Sequence, residues 1–402
     1  MNNKTDRSPA FRALGGKTPE ELFGGLPTPC YIIDEAALRR NGEILRGVAR
    51  RTGCKILLAQ KAFSNYDFYD LLREYLAGTE ASGLFEARLG AEEMPGKETH
   101  VFCAAYKANE FDALLRYADH IVFNSPAQLK KYGAKAKTAG KSVGLRINPE
   151  CTTQEGHAIY DPCAPGSRLG TTRAIWDREM TPALAALLDG LHFHTLCEQN
   201  ADDLATTLKA VEEKFGDILP GMRWLNMGGG HHITRDDYDI PLLEKCVTYA
   251  QQKWGVQVYL EPGEAVALNA GYFAARVEDI IVNGDVQIAV MDASAACHMP
   301  DTLEMPYNPP LYGADERLPY VYRLGGPTCL AGDMIGPYGF AAPLRPGDML
   351  LLGDMAIYST CKNNTFNGMP LPDIWKRTET GELQKLTDFG YADFKMRLGR
   401  KL

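Results

Sequence analysis

Eight short apolar segments, separated by stretches with helical character, follow one another between residues 54 and 260. The segments are 54–60, 79–82, 100–104, 120–123, 143–148, 191–195, 224–227 and 256–260. Helices are predicted between most of them, at 67–77, 108–117, 126–137, 201–215 and 240–251. Strands that are apolar along nearly their whole length are buried on both faces, which is typical of a parallel sheet. Eight such units in roughly 220 residues predict an α/β fold, a closed (β/α)8 TIM barrel.

The pattern changes after Asn269, where strand-like segments follow one another without helices between them. These segments are 272–282, 286–291, 318–324 and 348–352. Proline and glycine punctuate them, so we predict a second, mostly antiparallel β-domain. An earlier strand-like segment, 27–34, precedes the barrel, and we expect it to join the second sheet. The predicted domains are therefore a barrel at 37–268 and a discontinuous β-domain made of 1–36 and 269–402.

Charge and cysteine content argue against several classes of protein. The 402 residues carry a formal net charge of −8, which argues against nucleic acid as the main partner. No apolar stretch is long enough to span a membrane, and residues 1–23 lack the apolar segment of a signal peptide. Ten cysteines are scattered without a C-x-x-C pair, and their even number is compatible with disulfides, but the size of the chain and the missing signal peptide favour reduced thiols in the cytoplasm. The adjacent His231 and His232 lack zinc-site spacing, and no metal is predicted.

Polar side chains or glycine runs lie at or just after the ends of six predicted strands. They are Lys61, Ser82, Asn148, His194, Gly228-Gly229-Gly230 and Glu261-Pro262-Gly263. Taken singly, a lysine or glutamate in this position is commonly a solvated end, and a glycine run is commonly a tight turn. Barrel enzymes, however, carry their chemistry at the carboxyl ends of the strands. The coincidence of all six positions predicts one active site at that end of the barrel.

Three of these positions match the parts of a site for pyridoxal phosphate (PLP). The amine of Lys61 can form a Schiff base with an aldehyde cofactor. The glycines 228–230 can present backbone N–H groups to a phosphate, and the loops after the last two barrel strands are the usual phosphate cradle. A carboxylate at Glu261 can pair with the pyridine nitrogen and favour the protonated ring, which is the better electron sink.

Two further groups have both a structural and a functional interpretation. Alternation along 191–195 puts His192 and His194 on the same face. They are either core histidines satisfied by hydrogen bonds or, in the case of His194, a ring that stacks on the cofactor. The loop 325–329 presents the thiol of Cys329. Most cysteines are inert small hydrophobes, whereas a thiol that faces the Schiff base can donate a proton.

Together, these motifs resemble the fold-type III PLP-dependent decarboxylases, the alanine-racemase-like barrel group that includes ornithine and diaminopimelate decarboxylases. The matching positions, in the order of that family, are Lys61, Phe193-His194, Gly228-Gly229-Gly230, Glu261-Pro262-Gly263 and Gly326-Pro327-Thr328-Cys329. The resemblance implies a homodimer with active sites at the subunit interface, in which Cys329 serves the partner's site. The PLP-binding residues it implies are Lys61, Ser82, His194, Gly228, Gly229, Gly230, Glu261, Gly263 and Tyr358, the last on the phosphate.

Longer strings are similar to the carboxynorspermidine/carboxyspermidine decarboxylase branch of this family. They are residues 191–199, 295–301 and 326–333. Two positions depart from the ornithine-type pattern, since Glu264 replaces an arginine and Leu330 replaces an aspartate. These changes fit a longer substrate with several ammonium groups, although a structural ion pair is the alternative for each acid. The substrate-binding residues predicted on this basis are Glu198, Glu264, His298, Asp301 and Asp333.

The expected reaction is loss of CO2 from carboxynorspermidine or carboxyspermidine, which forms norspermidine or spermidine in polyamine biosynthesis. Alternatives on the same barrel stay open at this point. A diaminopimelate or ornithine decarboxylase is disfavoured only by Glu264, Leu330 and the segment 298–301. A racemase would place a catalytic tyrosine at the position of Cys329. A non-catalytic PLP-binding protein would not need Lys61, Glu261 and Cys329 together.

Overall fold

The computed structural model describes residues 8–154 and 161–399, which form two compact units. The first unit consists of the described residues of Arg40–Val266, and the second unit of the described residues of Met1–Arg39 and Ala267–Leu402. We propose that the domains predicted from the sequence correspond to these units. Within the described ranges, no helix combines the length and the apolar character that crossing a bilayer requires.

The elements of both units are numbered here in chain order. The strands are β1 (Cys30–Asp34), β2 (Lys55–Ala59), β3 (Gly78–Ala81), β4 (Glu98–Phe102), β5 (His120–Phe123), β6 (Ser142–Arg146), β7 (Gly190–His192), β8 (Trp224–Asn226), β9 (Gln257–Leu260), β10 (Gly271–Asn283), β11 (Val286–Met291), β12 (Tyr320–Gly325), β13 (Met334–Phe340), β14 (Met349–Gly353), β15 (Asp373–Arg377) and β16 (Leu383–Thr387). The α-helices are α1 (Pro19–Phe23), α2 (Glu35–Thr52), α3 (Tyr69–Leu72), α4 (Leu84–Glu93), α5 (Phe111–Leu114), α6 (Pro126–Thr138), α7 (Arg173–Glu179), α8 (Pro182–Ala185), α9 (Ala201–Phe215), α10 (Ile240–Trp254), α11 (Glu264–Ala267), α12 (Ala295–His298), α13 (Asp301–Glu304) and α14 (Tyr391–Met396).

Strands β2 to β9 form a closed barrel in which every strand is parallel to its neighbours. Pairing of β2 with β9, in which Lys55 lies opposite Tyr259, closes it. All residues of β3, β7 and β8 are buried, as expected for strands covered on both faces. The predicted TIM barrel is therefore confirmed.

Several elements are shorter than predicted. The strands predicted at 143–148 and 191–195 end at Arg146 and His192, and the helices predicted at 67–77 and 108–117 contain only the single α-helical turns α3 and α5. After α3 the chain continues in tighter turns, in which the N–H of Tyr75 bonds the carbonyl of Leu72. Beyond Arg146, Ile147 forms only an isolated bridge with Thr171. The apolar pattern continues past each element because these flanking residues are also buried.

Trp224 fills the interior at the amino ends of the barrel strands. Its indole Nε1 donates a hydrogen bond to Oγ of Ser142 at 2.9 Å. A Cβ atom on Gly190 would lie 2.0 Å from the indole, and one on Gly144 would lie 2.3 Å from it. Because real atoms do not approach so closely, the packing of this end of the barrel requires glycine at both positions.

A charged cluster lies at the same end of the barrel. His100 Nε2 is 3.1 Å from Glu98 Oε2, and the same carboxylate is paired with Lys55. Burial alone would raise the pKa of Glu98, but hydrogen bonds from His100 and Lys55 lower it to about 2. The ring of His120 stacks on His100 with centroids 3.9 Å apart, and burial lowers its pKa to about 3. The carboxylate of Glu98 is therefore ionised near pH 7. It lies beside the stacked imidazole rings of His100 and His120, and the ring of His120 is neutral at that pH.

In the second unit, β1 lies between strands that are distant in sequence. It pairs antiparallel with β10 and parallel with β15, within the order β13-β12-β11-β10-β1-β15-β16, and β14 pairs with β10. The other parallel pair found in the described ranges is β11–β12. The buried carboxylate of Asp34, at the end of β1, accepts hydrogen bonds from Ala37 N at 2.8 Å and Arg377 Nη1 at 2.6 Å. The predicted, mostly antiparallel sheet is therefore confirmed, and β1 lies within it.

We expect the substitution Gly190→Ala to lower the free energy of unfolding by about 1–3 kcal/mol, the usual cost of forcing an extra methyl group into a packed core. Gly221→Ala is the matched control, because nothing lies within 4 Å of a Cβ at that position. Urea unfolding followed by far-UV circular dichroism measures both. Equal stability of the two variants would show that the indole of Trp224 moves aside without cost.

Candidate active site

The turn that carries Lys61 packs against the segment that follows β9. Ala59 N donates to the carbonyl of Pro262 at 3.2 Å. A Cβ on Gly263 would lie 2.6 Å from Cβ of Ala62, so close packing accounts for this glycine, and its role in cofactor binding stays a prediction. Lys61 lies near Glu80 and His194, since its charge partly opposes the rise that burial causes in the pKa of Glu80 and adds to the fall that burial causes in the pKa of His194. The structure therefore brings the predicted lysine to the carboxyl ends of the strands.

Glu261 is the buried carboxylate of this region. Its side chain accepts hydrogen bonds from His192 Nε2 at 3.0 Å and from Asn226 Nδ2 at 2.5 Å. Burial alone would raise the pKa of Glu261, but His192 and then Asn226 outweigh burial and lower it. The structure thus holds an ionised carboxylate at the end of β9. Asn226, which ends β8, was missed by the sequence reasoning, although a polar residue closing an apolar strand is a readable signal.

His194 lies two residues beyond the end of β7. Its Nδ1 accepts the backbone N–H of Gly229 at 2.8 Å, which leaves the ring hydrogen on Nε2 in the neutral form. Burial, followed by the charges of Lys61 and Arg146, lowers the pKa of His194 far below its usual value. His192, which ends β7, instead bonds Glu261 and stacks on Phe102 with centroids 5.5 Å apart. Since β7 ends at His192, the strand alternation predicted for this pair does not extend to His194.

The three glycines after β8 form a tightly packed turn. Gly228 and Gly230 have positive φ angles of 68° and 82°. A Cβ on Gly229 would lie 2.3 Å from the carbonyl oxygen of Glu261, and one on Gly230 would lie 2.0 Å from that of Leu196. The N–H of Gly228 donates to Asn226 Oδ1 at 2.8 Å. Backbone packing therefore explains the glycine run, and a phosphate-binding role for it stays a prediction.

Two buried charged residues near Lys61 and Glu261 were not assigned by the sequence reasoning. Glu80, in β3, is 4% exposed, and burial, reinforced by Glu261, raises its pKa. Arg146, at the end of β6, donates from Nη2 to the carbonyl of His194 at 3.0 Å and lies 4.5 Å above the ring centroid of Phe102. Burial lowers the pKa of Arg146 to about 10. A charged residue inside an apolar strand is the signal that identifies both.

Two predicted strand-end residues make local loop contacts. The N–H of Ser82 donates to Glu86 Oε2 at 2.6 Å, and Ser82 lines a cavity of about 450 Å³ together with Phe85, Cys103 and Tyr106. Asn148 holds its own loop, since Oδ1 accepts from Glu150 N at 2.8 Å. A contact of Ser82 with the cofactor stays a prediction.

Glu198 and Glu264, two predicted substrate-binding residues, meet at His232. One carboxylate oxygen of each glutamate and one imidazole nitrogen of His232 lie within 4.8 Å of one another. His232 Nε2 is 3.2 Å from Glu264 Oε2. Burial alone would lower the pKa of His232, but Glu264 and then Glu198 raise it. The structure therefore forms a negatively charged cluster that can accept a cation.

In the second unit, the loop of Cys329 is held from within. Cys329 is exposed, and its N–H donates to Asn367 Oδ1 at 2.8 Å. Asp333 is 2% exposed and accepts hydrogen bonds from Ser294 Oγ at 2.8 Å, Ala296 N at 2.9 Å and Thr328 Oγ1 at 2.6 Å. The structure does not support the prediction that Asp333 binds substrate, because its oxygens are used to shape this loop.

The other predicted residues of the second unit also have internal partners. His298 is fully buried, with Nδ1 accepting from Ser294 N at 3.2 Å and Nε2 lying 3.1 Å from the carbonyl oxygen of Pro370. The structure therefore does not support substrate contact by His298 either. Asp301 Oδ1 is 2.6 Å from Lys362 Nζ, which lies 6.0 Å from the ring centroid of Tyr358. The roles predicted for Asp301 and Tyr358 stay predictions.

The chain was compared with known proteins and family models. The model "Pyridoxal-dependent decarboxylase, C-terminal sheet domain" matches residues 30–356. Carboxynorspermidine/carboxyspermidine decarboxylase of Campylobacter jejuni is 41% identical over 94% of this chain and 100% of that protein. Carboxyaminopropylagmatine decarboxylase of Synechocystis is 39% identical over 94% of this chain and 97% of that protein.

Solved structures agree with the sequence comparisons. Carboxynorspermidine decarboxylase from Campylobacter jejuni, complexed with norspermidine, has a TM-score of 0.84 and 40% identity over 92% of this chain and 100% of that chain. Diaminopimelate decarboxylase from Helicobacter pylori, complexed with L-lysine, has a TM-score of 0.79 over 95% of this chain and 99% of that chain. Its 17% identity makes it evidence for the fold alone.

The groups at the carboxyl ends of the barrel strands fit PLP, the cofactor of this family. The exposed primary amine of Lys61 matches the aldehyde, and an ionised, buried carboxylate at Glu261 matches a protonated pyridine nitrogen. The neutral ring of His194, fixed by Gly229, offers an aromatic face beside them. The family model and the two decarboxylases named above match most of the length of this chain. The chain therefore belongs to the pyridoxal-dependent decarboxylase family and is a PLP-dependent decarboxylase.

Proposed function

We propose that this enzyme decarboxylates carboxynorspermidine or carboxyspermidine and releases norspermidine or spermidine in polyamine biosynthesis. The observation that carries the proposal is the pair of carboxylates, Glu198 and Glu264, beside the glycine turn at the carboxyl ends of the barrel strands. A polyamine is a chain of ammonium groups, and carboxylates in a partly desolvated site attract such groups strongly. The names of the relatives from Campylobacter jejuni support the same substrate class.

We assign the cofactor-binding roles to residues of the barrel and to one tyrosine. PLP, when bound, accepts the electron pair that departing CO2 leaves on the α-carbon of the substrate. Lys61 would hold it covalently through Nζ, and the ionised Glu261 would keep its pyridine nitrogen protonated. His194 would stack on the ring. Phosphate contacts are proposed for Ser82, Gly228, Gly229, Gly230, Gly263 and Tyr358.

We propose that the enzyme is a cytoplasmic homodimer with shared active sites. Cys329 would protonate the α-carbon in the partner's site, and its exposure is consistent with that role. The loop around it is rigidly held by Asp333, so the thiol would be presented in a fixed position. The ten free cysteines are consistent with a reducing compartment.

Carboxyaminopropylagmatine is the second candidate substrate. The Synechocystis enzyme named for it is 39% identical to this chain, close to the 41% of the Campylobacter jejuni enzyme. The candidates share the amino-acid head group and an internal secondary amine, and they differ at the distal end, where a guanidinium replaces an ammonium. Glu198 and Glu264 can accept hydrogen bonds from the internal ammonium that both candidates share, so these carboxylates fit either substrate.

The substrate is identified by CO2 release from the purified holoenzyme with five compounds. We expect the highest kcat/KM with carboxynorspermidine or carboxyspermidine, and values at least about tenfold lower with diaminopimelate and ornithine, which lack the internal ammonium. Highest activity with carboxyaminopropylagmatine would select the second candidate. Highest activity with diaminopimelate or ornithine would contradict the polyamine proposal.

We expect Lys61→Ala to reduce CO2 release more than about a thousandfold. The variant lacks the amine that holds the cofactor between turnovers and displaces the product at the end of each one. Borohydride treatment followed by mass spectrometry should locate the cofactor on residue 61 of the wild type and on no residue of the variant. Lys209→Ala, at a side chain that is 79% exposed, is the control and should behave as wild type. Full activity of Lys61→Ala would contradict the assignment.

Mixing two impaired variants tests the shared site. Cys329→Ala should slow turnover by about a hundredfold, the usual effect of losing a proton-transfer group. If each site combines Lys61 of one subunit with Cys329 of the other, a refolded equimolar mixture of Lys61→Ala and Cys329→Ala chains regains up to about a quarter of wild-type activity. Recovery to no more than the mean of the two variants would mean that both groups belong to one subunit or that Cys329 has another role.

A further inference from the structure

His232 is a buried titratable group to which the decarboxylation chemistry assigns no role. Its side chain is 7% exposed, and within the described residues neither ring nitrogen makes a hydrogen bond of good geometry. Nε2 nevertheless points towards a carboxylate oxygen of Glu264, 3.2 Å away. An imidazole buried without hydrogen bonds is costly unless something else satisfies it.

The cluster of Glu198, His232 and Glu264 lies on segments that also carry residues of the candidate active site. His232 lies two residues beyond Gly230, the last residue of the glycine turn, and its N–H donates to the carbonyl of Gln199 at 3.2 Å. Gln199 N in turn donates to the carbonyl of Gly230 at 3.0 Å, so the loop that carries Glu198 is joined to the glycine turn. Glu264 begins α11, just after Glu261. Each member of the cluster is therefore placed by backbone next to a residue of the proposed PLP site.

The electrostatics of the cluster favour a positive charge at its centre. Glu264 from α11 and Glu198 from the loop after β7 face the imidazole, and Arg235, three residues further along the chain, is the cation that opposes them. Burial alone would lower the pKa of His232, but the two carboxylates raise it. In the absence of another cation, a proton on His232 occupies this position over a wider pH range than in an ordinary histidine.

We propose that Glu198 and Glu264 bind the internal secondary ammonium of the substrate, and that His232 releases a proton to solvent when this ammonium enters. A secondary ammonium has two N–H groups, and each carboxylate accepts one of them. The proton leaves because two cations held within a few ångströms of each other, beside a buried imidazole, repel one another. The inference rests on the proposed polyamine substrate and assigns a specific nitrogen of it to a specific subsite.

The position of this nitrogen distinguishes the proposed substrates from the amino acids that related enzymes use. In carboxynorspermidine and carboxyspermidine, two methylene groups separate the α-carbon from the internal nitrogen. Ornithine and diaminopimelate have a carbon atom there and carry their distal amine one bond and two bonds further away, respectively. A subsite that holds a cation at the nearer position therefore rejects the shorter amino acids, since its charges would be left unpaired.

The proposal is tested by calorimetric titration of the holoenzyme with norspermidine and with α,ω-diaminoheptane. The two ligands have the same length, and the second has CH2 in place of the central NH. We expect norspermidine to bind at least about tenfold more tightly. Repeating the titration in buffers of different ionisation enthalpy counts protons, and we expect proton release with norspermidine and none with the diamine.

Variants separate the parts of the subsite. His232→Gln should abolish proton release while keeping most of the affinity, and Glu264→Gln should remove most of the preference for norspermidine. Glu213→Gln, at a side chain that is 64% exposed, is the control and should change neither. Unchanged absorbance of the bound cofactor verifies that each variant is folded. Equal affinity of the two ligands, or proton release that persists in His232→Gln, would overturn the proposal.

The pH dependence of KM gives a second readout. Below the raised pKa of His232 the imidazolium competes with the substrate cation, so KM should fall as pH rises through that pKa. In His232→Gln this dependence should disappear.

The outcomes separate this inference from the proposed function. If the wild type turns over carboxynorspermidine but its KM depends on pH in the same way as that of His232→Gln, this inference fails and the proposed function stands. If it binds norspermidine as expected but turns over only another amino acid, the proposed function fails instead. Zinc that binds the cluster and is not displaced by norspermidine would overturn the inference in favour of a metal site.

Discussion

The buried carboxylate of Glu261 ties together the carboxyl ends of three adjacent barrel strands. It accepts hydrogen bonds from His192 at the end of β7 and from Asn226 at the end of β8, while following β9 itself. An unpaired buried carboxylate would be strongly destabilising, and these partners offset much of that cost. The network continues outwards, because Asn226 Oδ1 accepts the N–H of Gly228. The conformation of the glycine turn therefore depends on the same asparagine that holds the carboxylate.

Two carboxyl groups in this region have opposite environments. Glu261 has a lowered pKa because it receives hydrogen bonds, whereas Glu80 has a raised pKa because burial is reinforced by the charge of Glu261 and opposed only by Lys61 and Arg146. Neighbouring acids separated in this way can hold one negative charge and one proton at the same pH. The region thus contains one permanent anion, close to the amine on which the proposed chemistry depends.

The barrel and the order of its strands were predictable because a parallel sheet covered on both faces produces apolar runs that alternate with helices. The candidate site residues at strand ends were predicted from the rule that barrel enzymes carry their chemistry at the carboxyl ends of the strands. The hydrogen bonds of His298 to Pro370 and of Asp333 to Ser294 were not predictable, because they join residues that are distant in sequence. Motif similarity pointed to the loop of Cys329 as a whole, and it does not distinguish a residue that shapes this loop, such as Asp333, from one that would face a ligand.

The arrangement also explains how substrate preference can change without loss of the shared chemistry. Glu261 and its partners lie at strand ends, where pairing with neighbouring strands fixes them. Glu198, His232 and Glu264 lie outside the strands, in loops or at the start of a helix, where a substitution does not break the barrel ladder. An anion at position 264 would by itself be unfavourable near the phosphate that we propose for the glycine turn, and the adjacent imidazole, which can carry a proton, moderates that charge. The acid and the histidine are therefore best understood as one unit, since neither has a favourable environment without the other.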